Sequence, residues 1–110
     1  MEWKELNQVN QIESLKEESY EKPVLIFKHS TRCAISAMAI NRLERQWRDS
    51  PMVPYFLDLI NYREISNLIS EKLEVIHESP QVILLKDGEV IHHTSHNDID
   101  FKELNSIASS

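Results

Sequence analysis

The chain has 110 residues, 41% of them hydrophobic, and 18 acidic against 12 basic side chains give a formal net charge of -6. This length suffices for one modest core, so we expect a single domain over residues 1–110, and the negative charge argues against a nucleic-acid partner. No apolar run approaches the roughly 20 residues that cross a bilayer, and the acidic start lacks signal-peptide regions, which predicts a cytoplasmic protein without a membrane partner.

The first half of the chain predicts two helices separated by a buried strand. Apolar residues recur at intervals of three over about residues 4–19, and this spacing predicts an amphipathic helix. The apolar run Val24–Phe27 follows a proline and predicts a strand that is covered on both faces. Apolar residues then return at four-residue spacing from Ile35 to Trp47, which predicts a helix with Cys33 at its start.

The second half of the chain predicts a strand, a helix, a hairpin and a closing helix. The strand covers residues 53–60 and the helix residues 61–75. Asp87-Gly88 lies between two apolar runs and indicates a two-residue hairpin turn, and residues 97–108 fit the last helix. The order α-β-α-β-α-β-β-α predicts an α/β fold, in which a central four-stranded mixed sheet is flanked by helices.

Cys33 is the only cysteine of the chain and is predicted to lie where a strand gives way to a helix. Unpaired N–H groups and the positive end of the helix dipole stabilise a thiolate there. Neighbouring cations would add to this effect, and Arg32 and His29 are the candidates, the charge of His29 being left open by the sequence. Ser36 follows three residues later on the same helical face, so its hydroxyl could hydrogen-bond the sulfur.

Two other readings of Cys33 are open. A lone cysteine is often a small core residue. It could also be a metal ligand, but no zinc-like spacing joins it to the histidines, and His92 and His93 point to opposite faces of a strand. We therefore expect no metal site. Trp3 and Trp47 are predicted to pack against the core, since each adjoins a helical apolar stripe.

A Ser-Pro pair precedes the third predicted strand. A proline in this position can simply begin the strand. Together with a cysteine at an earlier strand-to-helix junction, however, it resembles the thioredoxin fold, whose cis-proline loop faces the reactive thiol. Pro80 matches the place of that proline, and Ser79 is then the residue that precedes the cis bond.

Three segments resemble one family over nearly the whole chain. HSTRCAIS, HESPQVILLKDGEVI and HTSHNDI, in this order, are similar to the YtxJ-type monothiol bacilliredoxins, which are thioredoxin-fold proteins of bacteria that use bacillithiol in place of glutathione. The usual pattern of that family is TCPIS. Here Arg32 separates Thr31 from Cys33 and Ala34 replaces the proline, whereas the cysteine, isoleucine and serine are retained.

The resemblance implies a cytoplasmic thiol–disulfide oxidoreductase that removes bacillithiol from S-bacillithiolated client proteins through a Cys33 mixed disulfide. Bacillithiol is then a co-substrate rather than a bound cofactor, and a separate reductase consumes bacillithiol disulfide. The implied catalytic residues are Cys33 and Ser36. The residues expected to contact substrate are Thr31, Arg32, His29, Ser79 and Pro80, with Lys28 and Arg63 as weaker cationic partners for the carboxylates of the malate portion.

Two further functions stay open at this point. One is a non-catalytic thioredoxin-like module that uses the same loop to bind a client. The other is an iron–sulfur carrier, because some glutaredoxins with a C-x-x-S site hold a cluster through one cysteine and a small thiol. Ala34 and Ile35 stand where those carriers usually have Gly-Phe, which disfavours the carrier.

Overall fold

The apolar run that predicted a buried strand lies at the centre of the sheet in the computed structural model, which describes residues 1–110. The strands are β1 (Lys4–Glu5), β2 (Val24–His29), β3 (Val53–Asp58), β4 (Gln81–Lys86) and β5 (Glu89–Ser95). The helices are α1 (Gln11–Glu18), α2 (Ala34–Gln46), α3 (Arg63–Leu73) and α4 (Phe101–Ala108). The strand order is β1-β3-β2-β4-β5.

Strand β2 has a neighbour on each side. It runs parallel to β3, where Val24 pairs with Val53, and antiparallel to β4, where Lys28 pairs with Gln81. Both of its edges are therefore used by backbone hydrogen bonds, and helices cover both of its faces. This burial explains why the strand reads as a continuous apolar run instead of an alternating pattern.

Helices α2 and α4 cover one face of the sheet, and α1 and α3 cover the other. Leu25 and Phe27 of β2 pack in the core between the sheet and helices α2 and α4. Val24 and Ile26 pack in the core on the side of α1 and α3. The predicted packing role of the tryptophans is confirmed, because the ring of Trp3 lies 5.8 Å from that of Phe27 and 6.3 Å from that of Trp47. The predicted α/β class with a mixed sheet is confirmed.

The sheet has five strands where four were expected, and the first helix is shorter than predicted. Lys4 and Glu5 form strand β1 beside β3 instead of starting a helix. The Gln11 side chain then accepts hydrogen bonds from the backbone N–H groups of Asn7 and Gln8, at 2.8 Å and 2.8 Å, so the chain turns before the helix begins. Of the apolar residues spaced at intervals of three, only Ile12 and Leu15 therefore lie in the helix, whereas Leu6 and Val9 lie between β1 and α1.

The last helix also begins later than predicted. His96–Asp98 form a single 3-10 turn, and Asp100 caps α4 by accepting a hydrogen bond from the Glu103 N–H at 3.1 Å. None of the helices is long and apolar enough to span a membrane.

The Asp87-Gly88 hairpin turn is confirmed between β4 and β5. Both residues have positive φ, 54° at Asp87 and 80° at Gly88, as the tight turn requires. A Cβ at Gly88 would also meet the ring of Tyr20, which is largely exposed and can move away. Backbone conformation is therefore the main reason for glycine here.

We expect Gly88→Ala to lower the free energy of unfolding by about 1–2 kcal/mol, because alanine is disfavoured at positive φ. Urea denaturation measures the change. Gly88→Asn is the matched control and should cost less than Gly88→Ala, since asparagine tolerates the left-handed region. Equal stability of the wild type and Gly88→Ala would contradict this account of the turn.

Candidate active site

Cys33 lies between the end of β2 and the start of α2, as predicted. It is the residue that immediately precedes the first turn of the 13-residue helix, and it is half-exposed. Its carbonyl oxygen accepts from Ala37 N–H at 3.1 Å, and its own N–H donates to Ser30 O at 3.2 Å. The sulfur forms no capping hydrogen bond, and the residue lies at the N-terminal, positive end of the helix dipole, where its partial exposure leaves it accessible to a disulfide.

The Ser36 hydroxyl does not serve the sulfur as predicted. It is fully buried, lies 2.7 Å from His29 Nδ1 and accepts from Ser30 N–H at 3.1 Å. These two contacts join the end of β2 to the first turn of α2. Ser36 therefore fixes the conformation of the loop that carries Cys33. Helical spacing did not predict this role, because the partners of Ser36 lie six and seven residues upstream and outside the helix.

His29 is a poor source of positive charge for the thiolate. Burial lowers its pKa from 6.5, although the nearby carboxylates of Asp58 and Glu44 oppose the shift. The lowered pKa favours the neutral imidazole, whose Nδ1 shares a hydrogen bond with the Ser36 hydroxyl. Of the two candidate cations, Arg32 is therefore the better source of positive charge, and the contact of His29 in this loop is with Ser36.

The Ser79–Pro80 peptide bond is cis. Gln81 pairs with Lys28 across β4 and β2, so this peptide bond lies beside the end of β2, at the same edge of the sheet as the Cys33 loop. Pro80 is buried, and its carbonyl oxygen accepts from His96 N–H at 3.0 Å. The topology thus brings the HSTRCAIS segment beside the other two quoted segments, which follow each other closely but lie far from it in the sequence.

The other predicted contact residues divide into exposed and buried ones. Thr31 and Arg32 are exposed on the loop beside Cys33, and Arg63 is exposed at the start of α3. Lys28 is fully buried, so the prediction that it meets a substrate carboxylate is wrong. Arg32 is the cation closest in sequence to the thiol and remains available to a ligand.

The buried ammonium of Lys28 was not anticipated. Its Nζ lies 3.1 Å from Ser70 Oγ of α3 and 3.1 Å from His77 Nδ1. Burial lowers the pKa of Lys28 to about 8, and it lowers the pKa of His77 as well, with the Lys28 charge adding to that shift. The sequence offered one sign of this burial: Lys28 directly follows four apolar residues of a strand that is covered on both faces.

No group of three or more His, Cys, Asp or Glu side chains is arranged to hold a metal ion. His92 of β5 and His96 of the turn that follows it contact different carboxylates. His92 Nε2 lies 3.4 Å from a Glu103 oxygen, and His96 Nδ1 lies 3.7 Å from a Glu78 oxygen.

Comparisons with known proteins agree with this geometry. A family model described as monothiol bacilliredoxin BrxC matches residues 4–104. A solved structure described as an oxidoreductase with a thioredoxin fold is 33% identical, with a TM-score of 0.82 over 94% of this chain and 90% of that chain. The long form of spinach chloroplast thioredoxin f is 18% identical, with a TM-score of 0.78 over 99% of this chain and 88% of that chain, which supports the fold alone. The predicted thioredoxin-like fold is therefore confirmed.

The buried lysine predicts how stability depends on pH. Unfolded Lys28 keeps its proton up to its ordinary pKa of 10.5, whereas the folded protein releases it near pH 8, so the unfolded chain binds more protons between these values. We expect the free energy of unfolding to rise by about 2 kcal/mol from pH 8 to pH 10.

Urea denaturation across this range measures the effect, and Lys28→Met should abolish it. Lys86→Met, at the opposite end of the sheet, is the control and should keep the rise. Above pH 10 the phenol of Tyr55 opposes the effect, because burial and the Glu18 contact raise its pKa to about 12. An identical pH profile for the wild type and Lys28→Met would contradict the assignment.

Proposed function

The chain belongs to the monothiol bacilliredoxin family, a thioredoxin-fold family with a thiol redox role, and we propose that it removes bacillithiol from S-bacillithiolated proteins. One observation carries this proposal. The only thiol of the protein is half-exposed at the N-terminus of a 13-residue helix, next to the loop that contains the cis proline. This position combines access for a disulfide with stabilisation of a thiolate.

The reaction is a pair of thiol–disulfide exchanges. The Cys33 thiolate attacks the bacillithiol sulfur of the client's mixed disulfide, a new S–S bond forms, and the client leaves as a thiolate that takes up a proton. A second bacillithiol, as its thiolate, then attacks the bacillithiol sulfur bound to Cys33. Bacillithiol disulfide leaves, and the Cys33 thiolate is regenerated without net oxidation of the protein.

The external co-substrate follows from the cysteine count. With one cysteine, the chain cannot displace the adduct by an internal thiol. Bacillithiol therefore completes the cycle, and a separate reductase returns bacillithiol disulfide to the thiol. We place this cycle in the cytoplasm, where a reducing thiol pool is maintained.

The ligand contacts follow from what is exposed around Cys33. Arg32 offers a guanidinium to the carboxylates of bacillithiol, and Thr31 offers a hydroxyl on the same loop. The backbone of Ser79, which precedes the buried Pro80, supplies polar groups to an extended client segment, and Pro80 fixes the shape of the loop. His29 and Ser36 lie behind the thiol and act as positioning residues, since the buried Ser36 hydroxyl is occupied by its contacts with His29 and Ser30.

We expect the wild-type protein to release the thiol of a bacillithiolated client, and Cys33→Ser to release none. Ser36→Ala should slow release by up to about thirtyfold, because it removes two hydrogen bonds that hold the loop and each contributes about 1 kcal/mol. Stopped-flow measurement of the freed client thiol gives the rates.

Ser66→Ala is the matched control for Ser36→Ala. Ser66 is also fully buried on a helix, but its hydroxyl has no hydrogen-bond partner, so this variant should keep the wild-type rate. If the client stays modified while the wild-type Cys33 is freely alkylated, the protein is a binding module instead of an exchange enzyme. A visible iron–sulfur absorption band after purification without oxygen would favour the carrier.

A further inference from the structure

The proline loop, which we define as residues 76–80, is anchored by two buried polar side chains. Lys28 of β2 and Gln81 of β4 are both fully buried, and they are paired across the two strands. The Lys28 ammonium donates to His77 Nδ1 at 3.1 Å from beneath the loop. A side chain of the central strand thus contacts the loop directly.

Gln81 anchors the same loop through its amide. Its Nε2 donates to Ile76 O at 3.0 Å, and its Oε1 accepts from Glu78 N–H at 3.4 Å. The Glu78 carboxylate in turn accepts from Ser95 Oγ at 2.6 Å, which ties the loop to the end of β5. The backbone of the loop is therefore fixed at its start and its middle, just before the Ser79–Pro80 peptide bond.

A buried ammonium at this position needs a reason beyond stability. None of the ion pairs of the protein includes Lys28, so no carboxylate offsets the cost of removing its charge from water. Its partners are the neutral oxygen of Ser70, whose own hydroxyl donates to Ser66 O, and the nitrogen of His77. An apolar side chain of the same length would fill the space at lower cost but could not hold His77.

We propose that Lys28, acting through His77, is a positioning residue that holds the proline loop in the conformation that receives the client segment opposite Cys33. This role rests on the proposed exchange function. The proline loop and the Cys33 loop are linked through the end of β2. Lys28 contacts the proline loop on one face of the strand, and the next residue, His29, contacts Ser36 on the other face. One strand end therefore positions both loops.

The test separates client binding from the reactivity of the thiol. In Lys28→Met and in His77→Ala, the KM for a bacillithiolated client protein should rise about tenfold, while kcat and the rate of Cys33 alkylation by iodoacetamide stay within about twofold of the wild type. His77 is exposed, so His77→Ala provides the test even where Lys28→Met folds poorly. His77→Asn, whose amide oxygen can replace Nδ1 as acceptor, should recover most of the wild-type KM.

His93→Ala and Lys86→Met are the matched controls and should leave KM unchanged. His93 is an exposed histidine on β5, and Lys86 donates to the Ser110 carbonyl oxygen, so neither side chain contacts the proline loop. A wild-type KM in both Lys28→Met and His77→Ala would overturn the proposal. A parallel loss of client exchange and of Cys33 alkylation would overturn it too, since that pattern indicates a general structural defect.

Amide hydrogen exchange gives a readout that does not depend on the proposed activity. Exchange of the backbone N–H groups of residues 76–79 and of Gln81 should be faster in Lys28→Met and His77→Ala than in the wild type, and unchanged in His93→Ala. Should the wild type fail to release the client while this difference is seen, the exchange function is wrong and the anchoring of the loop stands. Unchanged protection in both variants would refute the anchoring itself.

Discussion

The structure depends on the antiparallel register that pairs Lys28 of β2 with Gln81 of β4. This pairing sets the end of the central strand beside the start of the fourth strand, and the loops that follow and precede these ends lie at one edge of the sheet. One loop carries Cys33, and the other carries the cis Ser79–Pro80 peptide bond. Both strands are apolar on both faces, so their apolar residues alone do not set this register. A shift of one residue would move the buried Gln81 side chain to the other face and break its hydrogen bonds to Ile76 and Glu78, so the polar strand ends favour the observed pairing.

The last two residues of β2 give the strand end its function, because they are polar and face opposite sides of the sheet. His29 contacts the buried Ser36 hydroxyl on the side of α2, and this contact shapes the loop before the thiol. Lys28 contacts Ser70 and His77 on the side of α3, beneath the loop that contains the proline. The two buried polar contacts lower the stability that an apolar strand end would provide. The same contacts attach both loops of the site to one rigid strand. A site built on loops can be kept in a defined geometry in this way.

The sequence predicted the features that depend on local pattern. The helix start at Cys33 and the Asp87-Gly88 turn follow from short-range periodicity and backbone preference, and both are found in the structure. Strand β1 could not be predicted in this way, because two residues carry no period and their pairing with β3 is a tertiary contact. The partner of Ser36 could not be predicted for a related reason. Helical spacing placed its hydroxyl near Cys33, but the loop between β2 and α2 folds so that the hydroxyl contacts His29 instead. Lys28 was predicted to be a cation available to the substrate because exposed lysine is the norm, and only the three-dimensional structure shows that it is buried and contacts Ser70 of α3 and His77.

The central claim is that the single thiol itself receives bacillithiol from the client. A single-turnover experiment with a client that carries isotopically heavy bacillithiol tests it most directly, with intact mass spectrometry of the protein before and after light bacillithiol is added. The account predicts one heavy adduct per chain, located on Cys33, followed by its loss and the appearance of a disulfide between heavy and light bacillithiol. Release of the client thiol without any heavy adduct on Cys33 would contradict the account.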